Sequence, residues 1–188
     1  MTRIADLETI LGDTGPFCRL AEAGEAHLDI AADYLREPLQ IVMDVHRELR
    51  RRATLPIHAR LSRLPTLGVP QHEPITITDR YLLERIDEIV EGRRRRKPGH
   101  VDEDRGEVAT ALVARAMNVP ALMDDGWGKR LAASEGVQVF TTQDLAVELA
   151  ATGTLAARFA YGIFRLVYAD SSRNDFDQRV ERFGADNA

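Results

Sequence analysis

Short runs of apolar residues alternate along the chain with longer segments in which apolar positions recur at helical spacing. Five runs have the length and composition of buried strands, at residues 9–12, 39–44, 74–78, 120–124 and 137–140. The segments between them predict helices at residues 17–35 (in one or two pieces), 45–53, 79–91, 107–117, 128–134 and 144–150. Strands that alternate with helices pair in parallel through right-handed crossovers. We therefore expect an α/β fold, a three-layer α/β/α sandwich around a central parallel five-stranded sheet.

Three further segments depart from this alternation. Residues 55–73 are rich in proline, which predicts an irregular loop with room for a short helix. Residues 92–102 carry four consecutive arginines and a lysine, typical of an exposed and mobile loop. Residues 154–168 are apolar on more than one face and predict a helix, although Gly162 weakens it. We expect one domain over residues 1–153 and a helical C-terminal extension, residues 154–188, packed on it.

Composition narrows the class of protein. With 188 residues, 44% of them hydrophobic, the chain is long enough for one globular domain to bury a core. The net charge of -5 argues against general attraction to nucleic acid, so a surface for RNA must be local. A single cysteine, Cys18, favours a reducing compartment. Without a secretory signal or an apolar run of about 18 residues, we expect a cytoplasmic protein with no membrane association.

Acidic residues fall where predicted strands end and helices begin, which is where open parallel sheets bind ligands. Asp13 follows the first strand, and Asp124 and Asp125 follow the fourth. Glu48 lies about one helical turn beyond the second strand, and Glu107 opens the helix that precedes the fourth. If the first and fourth strands are neighbours, these carboxylates converge at one edge of the sheet. Ionised carboxylate oxygens are ligands of hard cations.

Each of these residues also has a purely structural interpretation. Asp104 and Glu107 have the spacing of a capping box, while Asp13 and either aspartate after the fourth strand can cap the helix that follows. Glu48 can be an exposed carboxylate paired with nearby arginines. Several like charges around one cleft are costly unless a cation neutralises them, so the set as a whole favours a metal site.

The order of five motifs resembles that of the PIN-domain superfamily, particularly its branch of bacterial toxin-type ribonucleases, over residues 10 to about 153. The motifs are Gly-Asp-Thr-Gly-Pro at 12–16, Val-His-Arg-Glu-Leu at 45–49, Asp-Arg-Gly-Glu at 104–107, Ala-Leu-Met-Asp-Asp at 121–125 with Lys-Arg-Leu-Ala at 129–132, and Gly-Val-Gln-Val-Phe-Thr-Thr at 136–142.

The resemblance implies a site for Mg²⁺ or Mn²⁺. Its ligands and catalytic carboxylates would be Asp13, Glu48, Glu107 and one of Asp124 and Asp125, with Asp125 slightly favoured and Asp104 as the alternative to Glu107. Thr14 would orient a carboxylate or a bound water. The reaction implied is hydrolysis of an RNA phosphodiester, with water attacking phosphorus in line and the 3′-oxygen leaving.

Two arginine clusters are candidates for contact with RNA phosphates. They are Arg50 to Arg52, one turn beyond Glu48, and Arg93, Arg94 and Arg95 with their neighbours in residues 92–102. The alternative is that these charges are solvated and balance the acidic chain, and the acidic tail of an antitoxin can also bind there. Trp127 can stack a base or cover the core.

We expect a metal-dependent endoribonuclease, the toxin of a toxin–antitoxin pair, with RNA as substrate, an antitoxin protein as partner, and a homodimeric state. One alternative is a catalytically silent PIN-like module that binds RNA or protein. Another is a haloacid-dehalogenase-like phosphatase with Asp13 as nucleophile, which is disfavoured because Gly15 stands where that family has a second aspartate.

Overall fold

The computed structural model of the chain describes residues 2–96, 104–168 and 170–187. Within these ranges it contains four short strands: β1 (Ile10–Gly12), β2 (Leu39–Gln40), β3 (Ala121–Leu122) and β4 (Val139–Phe140). The α-helices are α1 (Thr14–Ala23), α2 (Glu25–Leu35), α3 (Met43–Arg52), α4 (Arg80–Arg96), α5 (Asp104–Met117), α6 (Gly126–Ser134), α7 (Thr142–Ala151), α8 (Ala157–Val167) and α9 (Arg173–Asp186). Two 3-10 helices, Ile4–Asp6 and Pro56–Leu67, complete the described elements.

The strands form one parallel sheet in the order β2-β1-β3-β4. The α/β class and the parallel sheet are confirmed, and the condition that the first predicted strand neighbours the fourth is met. The sheet has four strands in the described ranges, and the fifth, predicted at residues 74–78, is reduced to one isolated bridge between Val42 and Ile75. Since α3 begins at Met43, the neighbouring chain offers no further extended backbone for these residues to pair with.

The strand order reverses between β1 and β3. From β1 the chain first adds β2 on one side, then crosses to the other side for β3 and β4. Such a reversal leaves a crevice beyond the carboxyl ends of the two strands, because the connections that leave them diverge. Asp13 and Asp124 both lie immediately past this boundary, and the Asp13 amide donates to the Leu122 carbonyl at 3.0 Å.

Several predicted boundaries are corrected. The first helical segment divides at Gly24, whose φ of 137° ends α1. The predicted loop at residues 92–102 is helical as far as Arg96, because arginine propagates a helix well and Glu91 pairs with Arg95 on the same face. The remainder of that prediction, residues 97–102, lies outside the described residues. The proline-rich segment contains the 3-10 helix Pro56–Leu67.

Helix α1 contacts α2, α3, α7 and α8. Helix α5 contacts α3, α4 and α6, while α7 contacts α1, α8 and α9, an arrangement compatible with a layered α/β domain. The C-terminal tail is helical as predicted, although its first helix is shorter than residues 154–168 and a second one, α9, follows. Phe164 of α8 and Phe176 of α9 are buried with ring centroids 5.2 Å apart. In the described part of the chain, no helix is long and apolar enough to cross a membrane.

Candidate active site

In the described part of the chain, one oxygen of the Asp13 carboxylate accepts a hydrogen bond and the other does not. It is the N-cap of α1, where Oδ2 accepts a long hydrogen bond of 3.5 Å from the Gly15 amide. The side chain is 2% exposed, yet Oδ1 accepts no hydrogen bond from any residue that the structure describes. Most buried acceptors have a donor, so an oxygen without one is a candidate to bind a water or a cation. Capping explains one oxygen of Asp13 and leaves the other unexplained.

Glu48 lies on the face of α3 that is turned toward Asp13, and it is 8% exposed instead of solvated. The Thr14 hydroxyl donates to its Oε2 at 3.0 Å, and Arg52 Nη2 donates to its Oε1 at 3.5 Å. Burial raises the pKa of Glu48, and these two donors oppose that change. Arg52 is therefore engaged inside the protein, whereas Arg50 and Arg51 are exposed on the same helix.

Asp124 closes β3 and is also buried, at 8% exposure. Both of its oxygens bind Thr142 at the start of α7: Oδ1 accepts from the amide at 2.8 Å and Oδ2 from the hydroxyl at 2.7 Å. Burial raises the pKa of Asp124, while the positive charges of Arg19 and Lys129 oppose the rise. The Asp124 carboxylate thus joins the end of a central strand to a helix N-terminus, where a negative charge is favoured.

The charges of Glu48 and Asp124 act on Asp13. Burial, together with the negative charges of Glu48 and Asp124, raises the pKa of Asp13 to about 7. A group of like charges held in the interior is unfavourable in the absence of a cation or protons. We call Asp13, Glu48 and Asp124 the acidic pocket.

Helix α5 approaches the acidic pocket through a glycine. A Cβ atom placed on Gly106 would lie 3.1 Å from Glu48 Oε2, 3.3 Å from Val45 Cγ2 and 3.8 Å from Asp13 Oδ1. A methyl group at this position would press on Glu48 and Val45, so a glycine lets the helix backbone pack closely against the carboxylates without displacing them. Gly106 belongs to the Asp-Arg-Gly-Glu motif, but no local pattern in the sequence assigns it a role.

Asp125 caps a helix, which is the structural alternative to metal binding for this residue. Its side chain is exposed, and Oδ1 accepts hydrogen bonds from the amides of Trp127 at 2.7 Å and Gly128 at 3.1 Å, which caps α6. Of the two adjacent aspartates, Asp124 is the one buried with Asp13 and coupled to it.

Glu107 is partly buried near the first turn of α6. Its Oε2 lies 3.6 Å from Arg93 Nη1, and a Cβ on Gly128 would be 3.3 Å from the same oxygen. The guanidinium of Arg93 in turn stacks 3.8 Å above the centroid of the Trp127 ring. Glu107 therefore already has a cationic neighbour. Asp104 begins α5, and its side chain lies outside what the structure describes.

The predicted RNA-binding arginines of residues 92–102 are placed on α4. Arg94 and Arg95 lie 3.8 Å and 3.3 Å from Glu91, so part of their charge is balanced locally. No sequence pattern assigns a role at this site to Lys129 or Arg19, whose positive charges lower the pKa of Asp124. Lys129 Nζ donates to the Tyr168 hydroxyl at 3.0 Å. The spacing of four residues between Asp125 and Lys129 is typical of a helix and so predicts α6. No local pattern predicts the contact between Lys129 and Tyr168.

The fit of a metal ion depends on how many carboxylates can reach it. Within the described ranges, no three His, Cys, Asp or Glu side chains are gathered closely enough to hold one ion between them. Charges interact over longer distances than a metal–ligand bond spans. Glu48 and Asp124 can therefore raise the pKa of Asp13 although the three side chains are not close enough to share one ion. Mg²⁺ commonly binds through one or two carboxylates and keeps several waters. Asp13 Oδ1 suits that mode of binding.

The single cysteine has no nucleophilic character at neutral pH. Burial raises the pKa of the Cys18 thiol to about 12, so it stays protonated.

Comparisons of the chain with protein-family models, with curated proteins and with solved structures gave no match.

Proposed function

We propose that this chain is a metal-dependent endoribonuclease whose acidic pocket binds Mg²⁺ or Mn²⁺. One observation carries the proposal: a buried Asp13 oxygen without a hydrogen-bond donor lies beside two further buried carboxylates, at the reversal of the strand order. Asp124, by contrast, has a donor for each of its oxygens, the amide and the hydroxyl of Thr142.

Asp13 would hold the ion directly through Oδ1. Glu48 is held by Thr14 and Arg52, and Asp124 by Thr142, so these carboxylates would orient waters bound to the ion. A bound divalent ion supplies activation of water and neutralisation of charge at the phosphate. Glu107 is a candidate for a further contact, for which it must give up its neighbour Arg93.

The RNA substrate would bind at the edge of the acidic pocket beside Asp124. Lys129 and Arg19 place positive charge near Asp124, where they can receive the phosphates on either side of the bond to be cut. Tyr168 is exposed and touches Lys129, and an exposed aromatic ring beside a cation suits a base of single-stranded RNA. The 3′-oxygen would leave from phosphorus in line with the attacking water.

The proposed role of the chain in the cell rests on its resemblance to the PIN-domain superfamily. It suggests the toxin of a toxin–antitoxin pair, with an antitoxin protein as partner and a homodimeric state. The second candidate is a silent PIN-like module, which the ion pair between Glu107 and Arg93 favours because an acidic ligand position is then already neutralised.

The two functions are separated by assays of cleavage and binding on the same RNA. Purified chain is incubated with a mixed-sequence single-stranded RNA in Mg²⁺, in Mn²⁺ and in EDTA, beside Asp13→Asn and the exposed control Asp33→Asn. The nuclease proposal expects cleavage in either metal, none in EDTA, none with Asp13→Asn and full activity with Asp33→Asn. RNA binding without cleavage in either metal identifies the silent module instead.

A further inference from the structure

A second concave region lies on another face of α3. It has a volume of about 580 Å³ and is enclosed by α3, the 3-10 helix Pro56–Leu67 and the residues that follow that helix. His46, Leu49 and Arg50 of α3 line it, whereas Val45 and Glu48 occupy the face of the helix turned toward the acidic pocket. A ligand in this cavity would therefore be separate from an ion at Asp13.

The floor of the cavity is apolar. Leu49, Leu61, Leu64 and Val69 line it, and each is buried. The cavity opens to the surface beside Arg50, which is exposed. Its volume falls in the usual range of roughly 300 to 1,000 Å³ for sites that bind small molecules, and such sites combine apolar walls with a few polar groups.

The polar groups stand at the rim. Arg50 is exposed there, and among the described residues no hydrogen bond or ion pair engages its guanidinium. Glu73 also lines the rim but is not paired with Arg50. His46 lies one turn before Arg50 and also lines the cavity, where its imidazole is a further hydrogen-bonding group. An apolar chamber with one unpaired cation at its mouth is complementary to an amphipathic anion.

We propose that this cavity binds a small amphipathic monocarboxylate, with its apolar body against Leu49, Leu61 and Val69 and its carboxylate at Arg50. The site is independent of the proposed nuclease activity, because it uses none of the carboxylates of the acidic pocket. Charge favours the acid over an uncharged molecule of the same shape, since only the acid pairs with the guanidinium.

The experiment compares octanoate with octanamide, a neutral molecule of the same length, by calorimetric titration of the full chain. Arg50→Ala tests the charge at the rim. Its control is Arg51→Ala, which removes the same charge from the next exposed position of α3 without lining the cavity. Ala53→Phe tests the chamber itself, because Ala53 lines the cavity and a larger side chain would fill it.

Octanoate is expected to bind more tightly than octanamide. Arg50→Ala should weaken octanoate binding by about 5-fold and leave octanamide unchanged, whereas Arg51→Ala should change neither beyond about 2-fold. Ala53→Phe should abolish the binding of both molecules. The proposal is overturned if neither molecule binds, if both bind equally, or if Arg50→Ala and Arg51→Ala have the same effect. A groove for the side chains of a protein partner would give the first of these results.

Discussion

The Thr14 hydroxyl donates a hydrogen bond of 3.0 Å to Oε2 of Glu48 and so joins the first turn of α1 to α3. Thr14 follows Asp13 directly, and both residues of the pair are buried. One hydrogen bond therefore fixes how two carboxylates of the acidic pocket stand relative to each other. We infer that Thr14 positions Glu48, which agrees with the orienting role that the sequence suggested for it.

Thr14→Val keeps the shape of the side chain but removes this donor. We expect RNA cleavage to fall by about 10- to 100-fold, since groups that orient metal-binding carboxylates typically contribute that much. The measurement is the cleavage rate at saturating Mn²⁺. Thr14→Ser, which keeps the hydroxyl, should retain most of the rate, and equal loss in both variants would argue against positioning through the hydrogen bond.

Asp13 should make the metal-free protein less stable as the pH rises. Its pKa is raised from the ordinary value of 3.8 to about 7, chiefly by burial, so between these values the folded chain holds a proton that the unfolded chain has lost. Stability is therefore lost as pH increases through this window. The contribution is at most about 4 kcal/mol, from the size of the shift.

Denaturation by urea in EDTA, at a series of pH values between 4 and 8, measures this effect. The control is Asp13→Asn, which cannot ionise. The free energy of unfolding of the wild type, relative to the variant, should decline from pH 4 to pH 8. A constant difference between the two proteins would show that Asp13 ionises normally.

Gly106→Ala should damage the acidic pocket, because the added methyl group would meet Glu48 Oε2 at 3.1 Å and Val45 Cγ2 at 3.3 Å. We expect a loss of stability of about 1 to 3 kcal/mol from overpacking, together with lower cleavage activity. Gly92→Ala is the matched control, since Gly92 lies inside α4 with open space around it. It should stabilise the protein by about 0.5 to 1 kcal/mol. Thermal unfolding of both variants tests the contrast, and equal effects would contradict it.

Lys129→Ala should weaken RNA binding if Lys129 contacts a phosphate. The measurement is the affinity for single-stranded RNA at several salt concentrations, made with Asp13→Asn so that no RNA is cut. The loss of one phosphate contact should reduce the slope of log affinity against log salt by about 0.7. Arg130→Ala is the control, because Arg130 is exposed on the same helix. A slope that falls equally in both variants would indicate a general charge effect.

The sequence was sufficient to predict elements with a strong local pattern. Asp13 and Asp124 could be placed at one edge of the sheet because the ends of parallel strands meet there, and the structure brings them together. Local patterns could not predict which of Asp124 and Asp125 is buried beside Asp13. It depends on Thr142, which is 18 residues away in the chain and binds both oxygens of Asp124.

Other features depend on contacts that no local pattern reports. Glu148 is 1% exposed in α7, where it accepts hydrogen bonds from the amides of Ile4 and Ala5 and from the Tyr34 hydroxyl. As an acidic residue in a helix, it gives no sign in the sequence that it anchors the N-terminal segment. The predicted strand at residues 74–78 was wrong for a similar reason, since its partner chain turns into α3 after Val42.

Calorimetric titration of Mn²⁺ into the wild type, Asp13→Asn, Asp124→Asn and Asp125→Asn shows whether the acidic pocket binds a divalent cation at Asp13, with Asp124 orienting water around it. Asn also caps helices, so Asp125→Asn preserves α6 and serves as the control. We expect binding that is lost with Asp13→Asn and strongly weakened with Asp124→Asn, yet retained with Asp125→Asn. Unchanged binding of Mn²⁺ by Asp13→Asn, or no binding by the folded wild type, would show that the acidic pocket is not a metal site.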